Sequence, residues 1–151
     1  MSYSHASQAS VVINAPIGEV FAYLSDLNRL AEWTPFAKMD KTIQWSVNEI
    51  GNGVGAVYEW SGKRIGKGTQ TVTQVVEPTE IHSRMTFGTK NQADTAYLLT
   101  AVGDSTEVTW TMNGERGLGD QIVATLLGLD KMMNRNFATG LADLKTLLES
   151  K

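Results

Sequence analysis

The 151 residues include no cysteine, and that single absence removes disulfides, thiolate catalysis and the common structural zinc sites. Histidine is nearly as scarce. His5 and His82 are the only two, and no carboxylates gather at ligand spacing, so neither a metal nor a cofactor is expected. Positive charge is also short: 13 Lys and Arg face 16 Asp and Glu, for a formal net charge of −3. A nucleic-acid partner normally needs a basic face that displaces counterions from phosphate, so none is expected. No stretch approaches the ~20 apolar residues of a membrane span. Met1–Gln8 is small and polar, without the basic-then-apolar order of a signal peptide, and a cytoplasmic protein without membrane insertion is expected.

What is present reads as one α+β domain over residues 1–151, a length that buries a core without staples. Ala9-Ser10-Val11-Val12-Ile13 predicts a short strand within Gln8–Asn14, with His5 in a frayed terminus before it. Asn14-Ala15-Pro16 then marks a helix start, and Ile17, Val20, Phe21 and Leu24 recur on one helical face. Asp26 offers a cap for a second short helix carrying Leu27, Leu30 and Ala31, ended by Trp33-Thr34-Pro35.

From Lys41 to Met112 the spacing changes to alternation. Strands are predicted over Thr42–Glu49, Val54–Trp60, Ile65–Val76, Ile81–Phe87, Ala93–Val102 and around Val108–Met112, consecutive and without intervening helices. Such a run makes an antiparallel meander. Gly114, Gly117 and Gly119 are read as closing it, and Asp120–Glu149 is helical by pattern, with Gly128 a bend and Gly140 a point of close approach to the sheet.

A sheet with one apolar face must cover it, and the C-terminal helix is the element large enough to do so. Inward strand parity collects Tyr58, Trp60, Met85, Phe87, Trp110 and Met112, with Met133 and Phe137 facing them from the helix. Ala56, Ser83 and Gln70 share that parity and leave room or polarity among the bulky groups. These features predict an apolar pocket, with Tyr58, Gln70 or an indole N–H orienting a guest. An empty rigid cavity of ~300 Å³ would cost about 7 kcal/mol at roughly 24 cal/mol per Å³, against a typical domain stability of about 5–15 kcal/mol. The pocket is therefore expected to be open to water, partly collapsed or occupied.

The chain resembles the START-like superfamily with the helix-grip fold, and within it the bacterial polyketide cyclase/dehydrase-like branch. Val12-Ile13-Asn14-Ala15-Pro16, Trp33-Thr34-Pro35-Phe36, Gly53-Val54-Gly55-Ala56-Val57-Tyr58-Glu59-Trp60 and Thr106-Glu107-Val108-Thr109-Trp110 carry the likeness, together with the stretch from Asp130 to Lys145. The resemblance implies a curved antiparallel sheet of six or seven strands wrapped around a long C-terminal helix, with two short helices after the first strand. It also implies a ligand-binding interior lined by Trp33, Tyr58, Trp60, Gln70, Ser83, Met85, Phe87, Trp110, Met112, Met133 and Phe137. The expected function is binding of a small hydrophobic or amphipathic molecule such as a lipid, quinone or polyketide-like compound, by a monomer or homodimer. A polyketide cyclase or dehydratase is the alternative, and a chaperone-activating interaction module the third. No catalytic group stands out: His82 and Glu59 fall on the face away from the bulky residues, and neither glycine cluster has a phosphate-loop ending.

Overall fold

The computed structural model describes residues 2–38, 40–63, 66–88, 91–117 and 129–150. Strand β1 (Ser2–Ile13) leads into helix α1 (Ile17–Ser25), a 3-10 helix (Leu27–Glu32) and the short helix α2 (Pro35–Lys38). Six strands follow: β2 (Gln44–Val47), β3 (Val57–Gly62), β4 (Gly66–Val76), β5 (Glu80–Phe87), β6 (Asn91–Val102) and β7 (Ser105–Gly117). Helix α3 (Leu129–Glu149) ends the fold. The seven strands form one antiparallel sheet in the order β1-β7-β6-β5-β4-β3-β2. This is the expected helix-grip architecture, with one short helical segment more than anticipated because Pro35 opens α2 as well as following the 3-10 helix.

Local chemistry explains the boundaries. Asp26 caps the 3-10 helix by accepting the Asn28 N–H at 3.0 Å. Gly51, Gly53 and Gly55 all adopt positive φ (63°, 88° and 92°), so the chain turns there before entering β3. Val54 therefore sits in that turn at 61% exposure instead of sharing the strand face with Ala56, Tyr58 and Trp60. At the other end of the sheet, Gly114 lies inside β7, paired with His5, so it does not close the β region; β1 offers a continuous partner there as far as Gly117, the last residue of β7, which pairs with Ser2. The same pairing corrects the frayed terminus: the backbone of His5 belongs to a twelve-residue strand.

The core fills the space between the sheet and the helices. Phe137, Leu141, Leu144 and Leu148 recur along α3 and are buried, as are Ile13, Val108 and Trp110 on the strands they face. A Cβ at Gly140 would lie 2.8 Å from Pro35 Cδ but at an ordinary 3.5 Å from Trp110 Cζ3, so the close approach the glycine permits is to α2 rather than to the sheet. Helix α3 runs chiefly along β1 and ties its open edge down. Asn134 Oδ1 accepts from the Gln8 N–H, Glu149 accepts from the Asn14 N–H, and Lys145 Nζ donates to the Val12 carbonyl, at 3.0, 2.8 and 2.9 Å. The predicted bend at Gly128 and the helical stretch before Leu129 lie outside the described residues.

Candidate functional site

The inner face of the sheet divides into two regions with different chemistry. On β3, period-two alternation turns Tyr58 and Trp60 inward, and register places Gln70 and Gly68 of β4 beside them. Met85 and Phe87 continue the two rows on β5. Neighbouring ring pairs Trp45–Tyr58, Tyr58–Trp60 and Trp60–Phe87 have centroid separations of 5.6, 6.0 and 5.8 Å, so the four rings form a continuous aromatic wall. Gly68 is what lets Trp60 lie flat on the sheet. A Cβ there would fall 2.1 Å from Trp60 Cζ2 and 2.5 Å from the Thr86 carbonyl oxygen.

Polar atoms on this wall lack partners. Tyr58 Oη, Trp60 Nε1 and Gln70 Nε2, and Tyr97 Oη beyond the wall on β6, are shielded from solvent and have no hydrogen-bond partner among the described residues. Their residues are at most 5% exposed. Burial pushes the Tyr58 and Tyr97 phenols up to about 12. The Gln70 amide beside Tyr97 opposes part of that rise, yet the pair does not close a hydrogen bond. Both phenols therefore stay protonated through the neutral range and can donate.

The second region, which includes Tyr97, is packed, and its Trp110 N–H is satisfied. Trp110 stacks on Phe137 with centroids 3.8 Å apart and planes 4° from parallel, and Trp33 meets Trp110 and Tyr97 edge-on at 5.3 and 5.7 Å. Trp110 Nε1 donates to Thr95 Oγ1, which donates in turn to the Thr111 carbonyl, at 2.8 and 2.7 Å. Ser83, Met85 and Met112 are buried between the two regions.

Ten of the eleven residues singled out from the sequence thus have described side chains, and strand parity or burial brings them to the inner side; the Met133 side chain lies outside the described residues. Two contributors escaped sequence reading. Trp45 shares inward parity with Val47 on β2, and Tyr97 shares it with Thr95 and Leu99 on β6. Simple alternation, extended through those strands, would have found both. Among the described strand side chains, Glu59, Lys67, Glu80, His82, Arg84, Asp94 and Glu107 all take the opposite parity, so none of them faces the aromatic wall. His82 accordingly pairs with Glu80 at 2.8 Å on the outer face.

Two clefts open on the described surface. One, of about 650 Å³, runs along β2–β5 past Glu59, Lys67, Thr69 and Thr86 and is also lined by Trp45, Trp60 and Gly68 of the aromatic wall. The other, of about 470 Å³, lies between α1, the β2–β3 loop and the β4–β5 turn. Among the described residues, no group of three His, Asp or Glu side chains could hold a metal, and no helix is long and apolar enough to cross a membrane.

The geometry has parallels among solved structures. Norcoclaurine synthase from Thalictrum flavum, solved in complex with dopamine and hydroxybenzaldehyde, superposes with a TM-score of 0.73 at 11% identity over 99% of this chain and 90% of its own. Protein CV1439 from Chromobacterium violaceum gives 0.69 at 17% identity, covering 95% and 97% of the two chains. The Aha1 dimer from Colwellia psychrerythraea gives 0.65 at 16%, covering 96% of each. At these identities the likeness concerns the fold alone. No curated protein matches the sequence. The family described as polyketide cyclase / dehydrase and lipid transport matches residues 4–149, nearly the whole chain, and the protein belongs to that family.

Proposed function

We propose that this protein binds a small hydrophobic or amphipathic molecule against the inner face of β3–β6, where Tyr58, Trp60, Gln70 and Tyr97 orient its polar end. One observation carries the reading: three buried polar atoms, Tyr58 Oη, Trp60 Nε1 and Gln70 Nε2, stand without described partners on the adjoining strands β3 and β4, and a fourth, Tyr97 Oη, stands on β6. Leaving a buried donor unsatisfied costs about 1–3 kcal/mol, and native proteins rarely leave several together. A guest that supplies hydrogen-bond acceptors would relieve that cost where it arises. Trp60 Nε1 and Gln70 Nε2 are donors only, so the complementary group is an oxygen of the carbonyl or ether kind. Family membership supports a ligand-binding scaffold, and the norcoclaurine synthase complex shows the fold around small aromatic compounds.

The two inner regions then take different tasks. Trp33, Trp110 and Phe137 hold the sheet and α3 together, while Tyr58, Trp60, Gln70, Met85 and Phe87 meet the guest. Native mass spectrometry of freshly purified protein is expected to reveal a co-purified small molecule. A panel of quinones, aromatic ketones and long-chain lipids is expected to include members that raise Tm, since ligand at 100-fold its Kd adds about 2.7 kcal/mol. A panel without any shift, together with an unadorned mass, would sink the proposal.

A further inference from the structure

We infer that the cleft between α1, the β2–β3 loop and the β4–β5 turn is a second binding site, one that takes a small organic ammonium ion. Its apolar lining comes from Phe21 and Ala22 of α1 and from Pro78. Its polar lining comes from Ser25, Asn52 and Glu77. Ser25 is only 4% exposed, and its Oγ is shielded from solvent with no hydrogen-bond partner among the described residues. The inner aromatic wall presents unpartnered donors; here a hydroxyl lone pair stands with a carboxylate and an amide, and among the described lining residues the only full charge is negative.

That combination selects a cation. A protonated primary amine brings three N–H donors. Glu77 would accept one as a charge-assisted bond, and Asn52 Oδ1 and Ser25 Oγ would accept the others. Phe21 adds an aromatic neighbour for the positive charge, and Pro78 and Ala22 would cover a short hydrocarbon or ring attached to it. A neutral alcohol of the same shape keeps the apolar contact but loses the charge-assisted bond. A carboxylate of that shape meets repulsion from Glu77. The volume of about 470 Å³ falls in the range of ordinary small-molecule sites. This site is independent of the inner wall, so it stands whether or not a ligand binds there.

The test uses benzylamine, benzyl alcohol and benzoate as probes in amide-resolved NMR titrations of the full chain near pH 7. Benzylamine is expected to give saturable shifts at Gly18–Ser25, Asn52 and Glu77, with benzyl alcohol and benzoate at least about tenfold weaker. Glu77→Gln should weaken benzylamine about tenfold and Ser25→Ala about threefold, since each removes an acceptor from the ammonium. Gln70→Met, on the inner wall, should leave benzylamine affinity unchanged. Equal affinity for amine and alcohol, an unaltered constant in Glu77→Gln, or shifts confined to the inner wall would each overturn the inference.

Discussion

Trp60 and Trp110 are the same side chain on the same face of one sheet, yet they meet opposite fates. The Trp110 indole lies flat on Phe137, and its N–H ends in a relay through Thr95 to a backbone carbonyl. The Trp60 indole lies on a glycine, and its N–H meets no acceptor among the described residues. The difference is made by their neighbours. Register sets Thr95 within reach of Trp110, whereas the places around Trp60 go to Gly68, Tyr58 and Phe87. Satisfaction of the indole N–H thus distinguishes the two tryptophan sites.

The largest expected effect lies in the cohesive region. Phe137→Ala removes one half of the stack and should destabilise by about 3–5 kcal/mol, read by chemical denaturation. Gly68→Ala strikes the other region through sterics. Its Cβ would meet both the Trp60 ring and the β5 backbone, so a loss of about 1–3 kcal/mol is expected, with a change in tryptophan fluorescence as the indole is displaced. Gln70→Met sharpens the contrast further, because it exchanges an unpartnered amide for an apolar group of similar length. The ligand-free variant should be unchanged or more stable by up to about 1 kcal/mol, while the affinity of any carbonyl-bearing ligand falls. A clear loss of stability in Gln70→Met would mean that the amide is structurally satisfied, and the comparison between the regions would fail.

Two smaller effects depend on pH. The Tyr58 and Tyr97 phenols are raised from 10.0 to about 12 in the folded chain. A raised pKa means that the unfolded chain deprotonates first, so this contribution is intact below pH 10 and disappears as pH climbs from there towards 12. Replacing both by Phe should flatten that alkaline limb of the stability curve. Glu149 behaves oppositely: the hydrogen bonds from Lys145 and the Asn14 N–H hold its carboxyl below its usual value. Its contribution is present above the unfolded pKa of 4.5 and is lost as pH falls through the folded one. Glu149→Gln should therefore lower Tm slightly at neutral pH and leave it unchanged in strong acid.

Much of this was legible in the residues. Alternation of Tyr58 and Trp60 around Glu59, and of Met85 and Phe87 around Thr86, named the inner wall because period two is a property of the strand itself. The helical recurrence from Phe137 to Leu148 likewise named the helix that packs over the β1–β7 side of the sheet. What escaped depends on pairing rather than pattern. Ser2–Gln8 is mostly polar, with weak hydrophobic contrast between its two faces, so only the partner strand β7 reveals it as β. Val54 fits an inward position by count, and the run of positive φ at the flanking glycines takes it out of the strand. The absence of partners at Tyr58, Trp60, Gln70 and Tyr97 is a matter of ångströms between side chains, and no periodicity encodes it.

The clasp between α3 and β1 has a further consequence. An exposed strand margin invites a second chain to add to it. On β1 that invitation is declined by Asn134, Lys145 and Glu149, which occupy its hydrogen-bonding groups from the side. Cutting the chain back past Glu149 would remove one fastening and leave the Asn14 amide bare, turning a sealed border of the sheet into a template for aggregation.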